Sequence, residues 1–204
     1  MMIAVIDYGM GNIRSVSKAL EAVGAQIKIT QNSEDIKNAR ALVLPGVGAF
    51  RDCIENLSEL GVLQTIKEEI FNGKPYLGIC LGMQILFSES EEFGFCKGLE
   101  IFKGRVVRFK LPKEYKIPHM GWNTVKFKKK NKIVESIPDK SYFYFVHSYY
   151  VVPEDEKIIA GVTDYGIDFT SMIVYENIFA TQFHPEKSQK TGLKLLRNFV
   201  ELSR

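Results

Sequence analysis

The sequence predicts an α/β fold: a mostly parallel central sheet flanked by helices, with an added antiparallel β region. Three observations carry this. As far as Cys80, short apolar runs of strand length alternate with segments whose apolar residues recur at helical spacing. From Gly104 to Tyr175 the runs alternate, or are rich in β-branched and aromatic residues, as antiparallel strands and hairpins are. A further apolar run, Ile178 to Phe183, then leads into a helical stretch with one apolar face made by Leu193, Leu196, Phe199 and Val200.

Taken in order, Ile3 to Ile6 reads as a strand buried on both faces. The glycine-rich turn Asp7-Tyr8-Gly9-Met10-Gly11-Asn12 follows, and then a helix with Val16, Leu20 and Val23 that Gly24 ends. Gly9-x-Gly11 lacks the third glycine of a dinucleotide loop and any Walker lysine, so the turn is read as facing a partner or the edge of a site. Ile27 to Thr30 is a second strand, and Ser33 is placed to cap a short helix through Ala39. Ala41 to Leu44 is a third strand. It ends in Pro45-Gly46-Val47-Gly48, where glycines leave the backbone free to aim N–H groups at an oxyanion. Helical stretches around Cys53 to Leu60 and Val62 to Phe71 lead to the strand Tyr76 to Ile79, after which Met83 to Phe87 reads as the start of a helix. Glu89 to Cys96 reads as an acidic loop, and Ile117 to Asn123 as a loop holding the only tryptophan. The run Lys126 to Lys132 reads as a solvated hairpin tip whose lysines discourage edge pairing, with a steering patch for an acidic partner as the alternative. Ser188 is placed to cap the last helix.

A chain of 204 residues suits a single domain over residues 1–204. The net charge of +3 is too small to imply a nucleic-acid partner. Three cysteines (Cys53, Cys80, Cys96) without framework spacing fit a reducing compartment. The N-terminal run from Met1 has no basic flank and is too short for a signal peptide, and no stretch is long enough to span a bilayer. A cytoplasmic location with no membrane partner is therefore expected, and neither a metal nor a cofactor is.

The chemistry centres on Gly78-Ile79-Cys80-Leu81-Gly82. A buried strand that turns sharply into a helix, with a nucleophile at the corner and glycines beside it, is a nucleophile elbow. The tight turn admits only small neighbours. Free N–H groups at the helix start favour a thiolate, and the N–H of Leu81 is placed to face the oxygen of a bound acyl group. A lone cysteine in an apolar run is ordinarily a core residue. What argues otherwise is His184-Pro185-Glu186 at the end of the last strand. A thiolate nucleophile needs a base, and the base needs an orienting group. His184 and Glu186 stand two apart, so both side chains can point to one side.

Pro45-Gly46-Val47-Gly48, Gly78-Ile79-Cys80-Leu81-Gly82-Met83-Gln84 and Gln182-Phe183-His184-Pro185-Glu186-Lys187-Ser188 resemble the motifs of the class I (triad) glutamine amidotransferases, over nearly the whole chain. Asp7 to Asn12, Pro118 to Asn123 and Phe145-Val146-His147-Ser148-Tyr149 narrow the resemblance to members that serve histidine biosynthesis. The resemblance implies a flavodoxin-like sheet and hydrolysis of L-glutamine to glutamate and ammonia through a Cys80 thioester, with His184 and Glu186 completing the triad. It implies an oxyanion hole from Val47, Gly48 and Leu81, and glutamine contacts from Gly46, Gln84, Ser148 and Tyr149. It also implies a heterodimer with a (β/α)8-barrel cyclase that receives the ammonia, contacted through Asn12, Met120, Gly121, Trp122 and Lys187. Three alternatives stay open. One is a γ-glutamyl hydrolase, against which the absent signal peptide argues. Another is a sister amidotransferase supplying ammonia for surface-sugar modification. The third is a non-catalytic interaction subunit.

Overall fold

The computed structural model describes residues 2–204; Met1, the first residue of the N-terminal run, lies outside them. The first half is the expected alternation. Strand β1 (Ile3–Ile6) is wholly buried, and helix α1 (Ile13–Ala22) ends where Gly24, at φ +91°, bonds back to the Glu21 carbonyl. After β2 (Ile27–Thr30) comes α2 (Ser33–Asn38). Its cap is Asn32 rather than Ser33, with the Asn32 side chain accepting from the Glu34 N–H at 2.7 Å. β3 (Ala41–Gly46), α3 (Phe50–Glu59), α4 (Leu63–Phe71) and β4 (Tyr76–Cys80) complete it. β1 pairs in parallel with β2 and β3, and β3 with β4, in a register that sets Gly46 opposite Cys80.

The helix after Cys80 is shorter than the sequence suggests. α5 (Leu81–Gln84) is a single turn, and Phe87 to Ser90 forms strand β5. The carbonyls of Ile85, Leu86 and Phe87 accept hydrogen bonds from the N–H groups of Leu99 to Phe102, so the ladder of a longer helix has no acceptors left there. The acidic stretch is accordingly not all loop: it opens in β5 and closes in β6 (Cys96–Lys97).

β7 (Phe102–Arg108), β8 (His119–Phe127), β9 (Ser141–His147), β10 (Tyr149–Pro153), β11 (Ile159–Asp164) and β12 (Asp168–Tyr175) follow as the antiparallel region. Most of the expected tryptophan loop is strand, since β8 begins at His119. The lysine run closes β8 and opens a long connection to β9 containing a 3-10 turn, Lys132–Val134, rather than forming a tight hairpin tip. β13 (Ile178–Thr181) joins the two regions. It lies parallel to β4 on one side and antiparallel to β12 on the other. β12 forks, to β11, β8 and β9 in one direction and to β10, β7, β5 and β6 in the other.

The last helix, α6 (Gln189–Leu202), lays Leu195, Leu196 and Phe199 with Leu20 of α1 against Val5, Val43 and Leu77. On the other face, Leu57 of α3 and Ile66 of α4 pack on Ile6, Leu42 and Leu44. Each such buried side chain is worth roughly 1.5–3 kcal/mol. Helices covering both faces leave the carboxyl ends of the parallel strands as the open edge, where ligands sit in this class of sheet.

Candidate active site

Cys80 closes β4 at φ 55° and ψ −103°, a backbone conformation that costs a side-chain-bearing residue on the order of 1–3 kcal/mol. The surroundings hold it there. A Cβ on Gly82 would strike the Leu44 carbonyl oxygen, and one on Gly78 would strike the Gly82 carbonyl, so both positions need glycine. The Gly82 carbonyl is fixed by the buried Tyr76 hydroxyl at 2.7 Å. Leu81 starts α5, so its N–H has no partner within the helix.

β13 and the residues after it bring the second half of the site. The His184 N–H donates to the Tyr144 carbonyl of β9 at 2.9 Å. Ser188 ties the same edge down: its Oγ accepts from the Tyr144 N–H at 3.0 Å and donates to the His184 carbonyl at 2.6 Å. It therefore makes no side-chain cap for α6. His184 Nδ1 donates to Glu186 Oε1 at 2.8 Å, with both side chains out of solvent. His184 Nε2 is buried without a hydrogen bond of ordinary geometry. Burial alone would depress the His184 pKa. The Cys80 sulfur and the Glu186 carboxylate outweigh it and hold the ring's pKa up at about 10. The arrangement is a sulfur at a strained corner, an imidazole against it, and a carboxylate fixing the far side of that imidazole.

A cavity of about 420 Å³ opens at this corner. Cys80, Leu81, Gln84, Val47, Gly48, Ser148 and Tyr149 all line it, so the expected nucleophile, oxyanion donors and most of the expected glutamine contacts meet there. Gly46 is not in the wall: it lies buried behind, where a side chain would collide with Leu81. Of the expected partner face, Met120 and Trp122 stand exposed, Gly121 between them holds φ +128°, and Asn12 precedes α1 with its side chain engaged in no cap. Lys187 also borders the cavity, with its ammonium 5.7 Å from the Tyr144 ring, which meets Trp122 edge-on at 6.1 Å. A continuous strip therefore runs from the cavity rim to the exposed tryptophan.

Several wall or floor residues were not foreseen as site residues, among them Pro118, Val146 and His147, which also line the cavity. Glu92 lines the cavity, its Oε2 capping the first N–H of α3 (Phe50) at 2.8 Å, and burial raises its pKa. Gln182 donates from Nε2 to Cys80 Sγ at 3.4 Å. Among the described residues no cluster of ligating side chains could hold a metal ion, and no helix is long and apolar enough to cross a membrane.

The family model "Glutamine amidotransferase class-I" matches residues 4–202. The imidazole glycerol phosphate synthase subunit HisH of Caldanaerobacter subterraneus subsp. tengcongensis is 54% identical over 201 residues, 98% of each chain. That of Aquifex aeolicus is 54% identical over 200 residues, 98% of this chain and 96% of its own. Among solved structures, PurLQS from Thermotoga maritima superposes over 100% of this chain and 99% of its own with a TM-score of 0.76 at 17% identity, a likeness of fold.

Proposed function

The chain belongs to the class-I glutamine amidotransferase family, and we propose from that premise that it is the glutaminase subunit of an imidazole glycerol phosphate synthase. Near-full-length relatives with half or more of their residues in common are named imidazole glycerol phosphate synthase subunit HisH. The observation that carries the chemistry is the His184–Glu186 hydrogen bond of 2.8 Å beside a cysteine at a strained strand end.

In the proposed reaction His184 Nε2 takes the Cys80 proton, and the sulfur attacks the side-chain amide carbon of glutamine. The oxyanion that forms is met by the N–H of Leu81 and of the Val47–Gly48 turn. The C–N bond breaks, the imidazolium gives its proton to the leaving nitrogen, and ammonia departs, leaving a glutamyl thioester. Water, deprotonated by His184, then attacks the thioester, and glutamate leaves as the thiol is restored. Glu186 fixes the tautomer and stabilises the imidazolium. Gln84, Ser148 and Tyr149 bound the glutamine, and the Glu92 carboxylate is the acidic group that its α-ammonium would meet.

The ammonia passes to a (β/α)8-barrel cyclase, which makes imidazole glycerol phosphate and aminoimidazole carboxamide ribotide. Exposed Met120 and Trp122, with Gly121, Asn12 and Lys187, form the docking face. The test is glutamate release by the chain with this partner, for wild type and Cys80→Ala. The variant should lose at least about 10³ in rate, because triad members act as a unit. Ammonium-driven synthesis by the pair should survive. Substantial hydrolysis by Cys80→Ala would overturn the nucleophile assignment.

A further inference from the structure

Two buried histidines have no assigned role in that reaction, although one of them, His147, borders the cavity. His119 of β8 and His147 of β9 are paired in register, with His119 Nδ1 3.0 Å from His147 Nε2. Their tautomers follow from the remaining partners. His147 Nδ1 lies 2.9 Å from the Tyr149 carbonyl, which can only accept, so Nδ1 bears the proton and Nε2 the lone pair. His119 Nδ1 must then donate to that lone pair, which leaves His119 Nε2 as an acceptor. Asn123 Nδ2 stands 3.3 Å away and donates to it. Burial pushes the pKa of His119 down to about 4 and that of His147 to about 3, so both rings stay neutral at neutral pH.

The chain of hydrogen bonds continues beyond Tyr149. The same carbonyl accepts from Gln84 Nε2 at 3.1 Å, and Gln84 Nε2 also donates to Gln182 Oε1 at 3.1 Å. Gln182 thus spends its oxygen on Gln84 and turns its NH₂ group to Cys80 Sγ, 3.4 Å away. An amide can be reversed end for end at almost no steric cost. Reversing Gln84 would set its oxygen against the Tyr149 carbonyl. Gln182 would then reverse too and place a carbonyl oxygen against the sulfur, which disfavours the thiolate. What prevents this is a Tyr149 carbonyl held in place.

We propose that His147, locked in its Nδ1–H tautomer by His119, is a positioning residue for glutamine hydrolysis: through the Tyr149 carbonyl it orients the Gln84 and Gln182 amides so that an N–H faces the Cys80 sulfur. The proposal rests on Cys80 being the nucleophile. The outer end of the relay, Asn123, follows the exposed Met120 and Trp122 on β8, so the sulfur is joined by hydrogen bonds to the strand that carries the docking face.

The experiment compares wild type, His147→Phe and His147→Asn as full-length chains. Phenylalanine keeps a flat ring and removes both nitrogens. Asparagine retains an N–H donor near the Nδ1 position. The primary probe is iodoacetamide alkylation of Cys80 as a function of pH, read by peptide mass spectrometry, which needs no partner. In His147→Phe the profile should move to higher pH and the rate at neutral pH should fall roughly tenfold, as expected for a buried donor–acceptor chain losing a member. His147→Asn should keep most of the wild-type profile. With the partner present, His147→Phe should lower kcat more than it changes KM. Long-range ¹H–¹⁵N spectra of the wild type should find both histidines neutral with the proton on Nδ1. An Nε2–H tautomer at His147, an unmoved profile in folded His147→Phe, or an Asn variant as impaired as the Phe variant would each overturn the proposal. A wild type that neither hydrolyses glutamine nor alkylates at Cys80 would instead sink the nucleophile assignment, and this proposal with it.

Discussion

Removing the Cys80 sulfur should lower the pKa of His184 by roughly 2–3 units. Burial works against a charged His184, yet its pKa stands at about 10 because the Cys80 sulfur and Glu186 both favour the imidazolium. The sulfur's share can be bounded. Opposite charges about 4 Å apart in surroundings with an effective dielectric near 20 attract by about 4 kcal/mol. At about 1.4 kcal/mol per unit that is close to 3 units, and water entering the space left by the sulfur trims it. Cys80→Ala leaves the Glu186 bond at 2.8 Å in place, so the ring should still be oriented but should titrate at roughly 7–8. The assay is ¹⁵N-histidine NMR of the full-length chain from neutral to alkaline pH. His119 and His147, both depressed, serve as unmoving internal references. If His184 in Cys80→Ala titrates within half a unit of wild type, no ion pair links ring and sulfur. The charge would then come from Glu186 alone, and the thiolate–imidazolium pair on which the proposed chemistry rests would be wrong.

A glutamine analogue bearing an electrophilic carbon should label Cys80 and spare the other two cysteines. Burial pushes the Cys53 thiol up to about 12 and raises that of Cys96 as well, and peptide mass spectrometry placing the label mainly on either would contradict this. Acid should weaken the fold below the unfolded histidine pKa. A histidine depressed in the folded state contributes stability above about pH 6.5 that is lost as pH falls toward its folded value, amounting to about 2 kcal/mol at pH 5 for His147, while His184, raised, adds no slope in that window. Urea midpoints at the two pH values should show this, with a shallower dependence in His147→Asn; identical slopes would refute it. Glu92→Gln should raise KM for glutamine roughly ten- to a hundredfold with kcat little changed, because it removes the charge opposite an ammonium while sparing an oxygen for the Phe50 N–H. An unchanged KM would remove Glu92 from the binding site. Finally, if the Val47–Gly48 peptide withholds its N–H from the site until the partner docks, the isolated chain should release glutamate roughly 10²–10³ more slowly than the complex with its ligand. Equal rates would exclude that gate.

The parts of the site legible from sequence are those whose geometry is set within a few residues. A strand, a turn and two glycines mark the Cys80 corner, and His184 and Glu186 stand two apart, although the structure brings them together at a 3-10 turn, Pro185–Lys187, beyond the end of β13 rather than along a strand. The parallel strands of the first half were legible for the same reason, since each announces itself by its own apolar run. What escaped was decided by where buried polar groups find partners, and those partners lie far along the chain. Glu92 is one of several acidic residues in its stretch. It turns inward because the Phe50 N–H at the start of α3, 42 residues away, has no other cap. The helix after Cys80 stops because residues 99–102 take its acceptors.

Ser188 makes the point most sharply. A local rule assigns its hydroxyl to the start of α6, just before which it stands. The fold places β9 beside it, where the hydroxyl bonds the Tyr144 N–H and the His184 carbonyl. Bonding both of those groups joins two elements, whereas capping α6 would have satisfied one N–H of its own helix. The hydroxyl therefore pins the segment carrying His184 to the middle of β9, whose last residue is His147. The ring proposed as the base and the ring proposed to orient the sulfur's neighbours are thus held at a fixed separation by one strand.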